Sequence, residues 1–135
     1  MTPRFTQEEL NYLHDQLLGR LATVDGSGEP QNNPVGFLID EDAGQVLIGG
    51  LALARTRKFR NVARHRHVAF VVDDLVSVDP WTVRGVEVRG TAEAVRDVDP
   101  PRPGMSREII RITPRWIGSW GITPDHSGLS VRTQS

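Results

Sequence analysis

The sequence predicts a mainly β protein, an antiparallel barrel with appended helices, on three observations. Short stretches rich in valine and isoleucine recur along the chain. Gly-, Asp- and Pro-rich turns separate them, and only two segments carry a helical period. Hairpin links between roughly six strands favour a sheet that closes on itself. The 135 residues fit one domain, 1–135, with residues 123–135 read as a polar, frayed tail.

Each element has its own warrant. Thr6 and Glu9 have capping-box spacing, and Leu10, Leu13, Leu17 and Leu18 follow at helical intervals, so residues 6–18 are read as a helix ended by Gly19. "RLATV" is a strand, "DGSGEP" a hairpin turn and "QNNPVGFLID" the return strand, in which Pro34 marks an edge or a bulge. "EDAG" turns the chain into "QVLIGG". Thr56 suits an N-cap, and Phe59, Val62 and Ala63 give residues 57–65 a short apolar helical face. "HVAFVVDD" reads as a strand buried on both faces, and "TVRGVEVRGTAEAV" as a half-exposed strand with a glycine irregularity. "RDVDPPRPGMS" holds too many prolines for regular structure and reads as a variable connection. "REIIRITPRWIGSWGI" starts as a strand and breaks at Pro114.

Composition excludes several classes. Hydrophobic residues at 38% and charged residues at 24% describe a globular chain rather than a disordered one. A net charge of −1 gives no general field for nucleic acid, and 6% aromatics is too few for a base-stacking platform. With no cysteine there is neither a disulfide nor a thiolate metal site, and the scattered histidines lack an acidic partner at ligand spacing, so no metal is expected. "MTPRFTQEEL" has no apolar signal core and no long apolar run follows, so a cytoplasmic protein without a membrane partner is expected.

Lys58 is the single lysine beside fifteen arginines. It stands in the first turn of the second helix, where free backbone N–H groups and the positive dipole end favour anions. Thr56 adds a hydroxyl, Arg55 and Arg57 add charge, and Gly49 and Gly50 would let a ligand approach the backbone. Two readings stand on these residues: a phosphate site, or a solvated basic helix face that keeps the protein soluble. No nucleophile with a base, metal cluster or acid–base pair accompanies them; Ser119 and Ser130 lack triad partners, and Asp73–Asp74 reads as a turn.

The ordered series "LATVDGSGEPQNNPVGFLID", "VLIGG", "TRKFRNVARHRHVAFVVDD", "RGVEVRGTAEAV" and "RITPRWIGSWGI" resembles the pyridoxamine 5′-phosphate oxidase-like flavoproteins over residues 6–122. Within them it is most similar to the actinobacterial branch that uses the deazaflavin coenzyme F420, with FMN as the alternative cofactor. The resemblance implies a split β-barrel of the FMN-binding type and a homodimer with cofactor sites along its interface. It further implies that Thr56, Arg57 and Lys58 hold the cofactor phosphate, supported by Arg55 and Asn61. Gln31, Asn32, Asn33, Pro34 and Val35 would run beside the ring system, with Gly49 under it and Leu75 flanking it. Trp120 would reach the interface, as would Trp81 and Arg84 from the other chain. The activity implied is hydride transfer from F420H2 to an electron-poor small molecule such as an enone, quinone or tetrapyrrole. An FMN oxidoreductase and a non-catalytic flavin or F420 carrier of the same fold are the alternatives. Strict pyridoxamine phosphate oxidation is not expected, since no second basic cluster offers a substrate phosphate site.

Overall fold

The computed structural model describes residues 2–134. In chain order the elements are α1 (Gln7–His14), β1 (Leu18–Val24), β2 (Pro30–Asp40), β3 (Gln45–Ile48), a 3₁₀ turn (Leu53–Arg55), α2 (Arg57–Arg64), β4 (His67–Ser77), β5 (Thr82–Arg96), β6 (Glu108–Trp120) and β7 (Leu129–Thr133). Neighbours run β3-β2-β1-β4-β5-β6-β7, all antiparallel, and a further β3–β6 pairing closes the first six into a barrel. No helix is long and apolar enough to cross a membrane among the described residues.

The barrel interior follows from strand alternation. Leu21 of β1, Val35 and Phe37 of β2, Val46 and Ile48 of β3, Phe70 and Val72 of β4, Val86 and Val88 of β5 and Ile110, Ile112 and Ile117 of β6 meet there, none more than 6% exposed. Phe37 and Phe70 pack edge to face at 5.2 Å. Buried and half-buried residues alternate along β4, so it has one core face and not the two its apolar composition predicts. The Gly-marked irregularity in β5 is present. Gly90 pairs with Pro114 and Arg89 with Trp116, which leaves Arg115 as the bulged residue. That bulge carries β6 through Pro114, where a break is expected from the sequence, because the extra residue absorbs the missing donor.

The first helix is shorter than its leucines predict. The capping box forms, with Glu9 N donating to Thr6 Oγ1 and Thr6 N to Glu9 Oε1. The helix then stops at His14, because Leu18 opens the ladder with β2 opposite Gly36. Gly19 is therefore not a helix terminator. It lies in β1, where a Cβ would stand 2.6 Å from the Phe70 ring. Leu17 is left on the connector, 77% exposed.

The tail is ordered as β7, against the expectation of a frayed end. Arg132 donates to the fully buried Glu9 carboxylate, which also accepts from the Ser119 hydroxyl of β6. A buried carboxylate has to be paired, and this one locks α1, β6 and β7 together.

Candidate functional site

Asn61 organises the helix that carries Lys58. It is 5% exposed, and its Nδ2 donates to Thr23 Oγ1 of β1 and to Gln31 Oε1 of β2, each at 3.0 Å. The α2 helix is thus fastened across two strands through side chains. Thr23 gives no signal of this partnership in the sequence, because the bond closes over 38 residues.

At the α2 N-terminus Thr56 Oγ1 accepts from Phe59 N at 3.4 Å and donates to Leu53 O at 2.6 Å. Its proton is committed inside the chain, so it caps the helix rather than offering the free donor expected of it. Arg55 and Arg57 are exposed and Lys58 is half-buried. Among the described residues these three, with Arg60 and Arg64, enter no ion pair.

Two clefts bear on the expected site, and only the first is lined by this cationic segment. The first, about 350 Å³, is lined by Asp25, Gly26, Ser27, Gln31, Arg57, Arg60, Asn61 and Arg64. It brings together three expected residues, Gln31, Arg57 and Asn61, but not Arg55, Thr56 or Lys58; Lys58 stands one step round the helix from the Arg57–Arg60–Arg64 face. Asp25 on the hairpin rim has its carboxyl held below the usual range, chiefly by the Ser27 hydroxyl, then by the Glu29 and Ser27 amides.

The second is an apolar slot of about 170 Å³, walled by Leu17, Gly36, Phe37, Leu38, Leu47 and Gly49 and roofed by Pro101, Arg102 and Met105. Pairing of Phe37 with Ile48 brings Gly36 of β2 and Gly49, just after β3, to the slot. A Cβ on Gly49 would stand 2.8 Å from both Met105 Sδ and Pro101 Cγ, so the close approach that glycine permits is used by the 101–105 segment. Of the expected residues only Gly49 lines this slot.

Strand alternation divides the stretch expected beside the ring. Residues 31, 33 and 35 share the inward parity: Gln31 is bound by Asn61, Val35 is 5% exposed in the core, and Asn33 is exposed. Asn32 and Pro34 take the outer face, the same side as Gly36. The two-residue period thus presents the side chains of Asn32 and Pro34 on the face opposite those of Gln31, Asn33 and Val35. Asn32 also lines a shallow outer depression with Arg20, Ala22, Ala69, Val71 and Glu87. Residues Pro30–Gly36 pair with β1 only, which is where a strand proline is tolerated.

The remaining expected residues lie elsewhere on the barrel. Trp120 is on β6 opposite Gly85, where a Cβ would stand 2.6 Å from the indole ring, and β3 lies between β6 and β2 round the closed barrel. Leu75 (44% exposed) lies two residues before the end of β4, on the hairpin that also carries the exposed Val78 and Trp81. Asp73 and Asp74 are neither a dyad nor a turn. Asp73 pairs with Arg20 at 2.6 Å, while Asp74 accepts from Tyr12 Oη at 2.7 Å and from Arg84 Nε at 2.8 Å. Burial, then the Asp74 hydrogen bond, pushes the Tyr12 hydroxyl far above its ordinary range, and Arg84 holds the Asp74 carboxyl below its own. Arg84 is thereby engaged within its own chain.

The sequence matches the pyridoxamine 5′-phosphate oxidase family over residues 5–133. It is 52% identical over 124 residues to a 5a,11a-dehydrotetracycline/5a,11a-dehydrooxytetracycline reductase of Streptomyces rimosus subsp. rimosus, spanning 91% of this chain and 87% of that protein. Among solved structures, the conserved hypothetical protein Rv2991 of Mycobacterium tuberculosis shares the fold. Its TM-score is 0.67 at 22% identity, over 86% of this chain and 84% of that one. A protein described as an F420 reductase aligns with a TM-score of 0.57 at 28% identity, over 75% of this chain and 88% of its own.

Proposed function

This chain belongs to the pyridoxamine 5′-phosphate oxidase family and is an oxidoreductase, and we propose that it is an F420H2-dependent reductase of an electron-poor organic acceptor. The observation that carries the reading is the presence of two surfaces: five cations without ion-pair partners among the described residues, on and just before α2, and an apolar slot at the β2–β3 edge. A planar ring bearing a phosphate and an acidic tail fits that combination of chemistry. The similarity to proteins described as a dehydrotetracycline reductase and an F420 reductase supports it further.

When bound, reduced deazaflavin supplies a hydride. The chain's tasks are to bind and to shield. Lys58, Arg57 and the free N–H groups of the first α2 turn take the anionic end, lysine as a point charge and arginine as a fork. Asn61 keeps that turn at a fixed height over β1 and β2. Leu17, Leu38 and Leu47 exclude water from one ring face. None of the slot's lining side chains ionises near neutral pH, so the proton that completes the reduced product comes from solvent.

A homodimer is part of the proposal. Leu129 and Val131 are 78% and 53% exposed, and with Trp116 and Trp120 they continue the outer sheet face, an apolar surface that a second copy would cover. Trp120 would then stand against the other chain's site. Light scattering should give twice the chain mass. Titration with F420 and with FMN, followed by turnover of F420H2 against an acceptor panel, tests the cofactor and the activity. A protein that binds F420 and turns over no acceptor would be a carrier instead.

A further inference from the structure

The segment between β5 and β6 reads from sequence as a variable connection, yet it forms the roof of the slot. Its two feet are tied down. Val98 N donates to Arg107 O at one end. At the other, Ser106 N and Oγ both donate to Gly50 O, and Ser106 Oγ accepts from Leu53 N. Between the feet, a single polar contact among the described residues joins the arch to the barrel: Arg102 Nη2 donates to Phe37 O at 3.4 Å. That bond is long, and it leaves most of the guanidinium donors without a partner among the described residues. Arg102 is the one charged side chain lining the slot.

Size adds a constraint. The slot's 170 Å³ falls below the roughly 300–1,000 Å³ of ordinary ligand sites, so a planar molecule enters only if the arch lifts. Lifting costs one weak hydrogen bond and the contacts of Pro101 and Met105 with Gly49. Whatever lies between the arch and β2 then meets the Arg102 guanidinium, which is exposed at the mouth of the slot with donors to spare, and an anionic oxygen there gains a charge-assisted hydrogen bond.

We propose that Arg102 is a specificity-determining residue of this reductase, selecting acceptors that carry an anionic oxygen conjugated to the reducible bond, such as an enolate or a hydroxyquinone. This rests on the functional reading above for the word acceptor, but the binding preference does not depend on which cofactor is present.

The test uses two matched naphthoquinones: neutral 1,4-naphthoquinone, and 2-hydroxy-1,4-naphthoquinone, whose hydroxyl is ionised at neutral pH. Their dissociation constants are measured by calorimetry on wild type, Arg102→Gln and Arg102→Lys, each with oxidised F420 bound and without it. Arg102→Gln should weaken the hydroxyquinone by about 10- to 100-fold, the scale of a lost charge-assisted hydrogen bond. The neutral quinone should change by less than about twofold on the same scale. Arg102→Lys, which keeps charge without the fork, should restore part of the loss. Equal weakening of both quinones, no change in either, or no binding of the hydroxyquinone by wild type would overturn the proposal. If F420 fails to bind, the functional reading fails while the cofactor-free titrations still decide the role of Arg102.

Discussion

In the proposed reading Lys58 is placed for chemistry rather than for stability. It is half-buried in the first turn of α2, forms no ion pair among the described residues and packs no core. Lys58→Ala should therefore leave the unfolding midpoint almost unchanged and weaken F420 binding by about 1.5–3 kcal/mol, the value of a charge-assisted contact; a fluorescence titration beside a urea melt separates the two. Asn61 behaves oppositely. Asn61→Ala strands Thr23 Oγ1 and Gln31 Oε1 under the helix, which should cost about 1–3 kcal/mol of stability in urea unfolding and loosen the anion site with it. The Asp74 carboxyl titrates below its ordinary value because Arg84 and Tyr12 hydrogen-bond its charged form. A depressed folded pKa gives stability that is complete above the unfolded value, about pH 4, and is lost as pH falls through the lower folded value. Asp74→Asn should accordingly flatten the acid limb of stability below about pH 4, measured by denaturant unfolding across that range; an unchanged slope would assign the acid sensitivity to another carboxylate.

Elements were legible where local chemistry decides and illegible where a distant partner does. The Thr6 capping box, the Thr56 cap, the "DGSGEP" turn and the β5 glycine irregularity depend on near neighbours, and each stands where the sequence puts it. Leu17 and Leu18 continue a helical period, but the ladder with Gly36 claims Leu18, and Gly19 is needed under Phe70. The polar tail carries no strand signal of its own; Glu9, more than 120 residues away, makes it a strand by demanding Arg132. Arg132→Ala should thus destabilise the fold by about 3 kcal/mol, the low end for breaking a buried pair, since the arginine is partly exposed. Glu9→Gln with Arg132→Ala should lose less than the sum of the single changes, which a double-mutant cycle in urea would measure. The site was legible in the same uneven way. The cationic run at residues 55–58 stands out in the sequence, whereas the slot is assembled from Leu17, Gly36, Leu47 and the 101–105 arch, which only the closed barrel brings together.

At the scale of the whole molecule, the closed barrel separates two tasks. Its interior is filled with aliphatic and phenyl groups, and the two clefts described lie at its rim and outer face, one beside α2 and one under the arch at β2 and β3. The same outer face presents Leu129 and Val131, so assembly and cofactor binding are expected to be coupled. Val131→Asp should give a monomer by light scattering and reduce F420 affinity without unfolding the barrel, since Val131 is exposed on the terminal strand. A monomer with full affinity would show that each chain holds its cofactor alone. The most direct test of an anion grip and an apolar slot is a side-by-side fluorescence titration of the purified protein with F420 and FMN. The cationic rim predicts at least about tenfold tighter binding of F420, one charge-assisted contact or more. Tighter binding of FMN, or of neither, would contradict it.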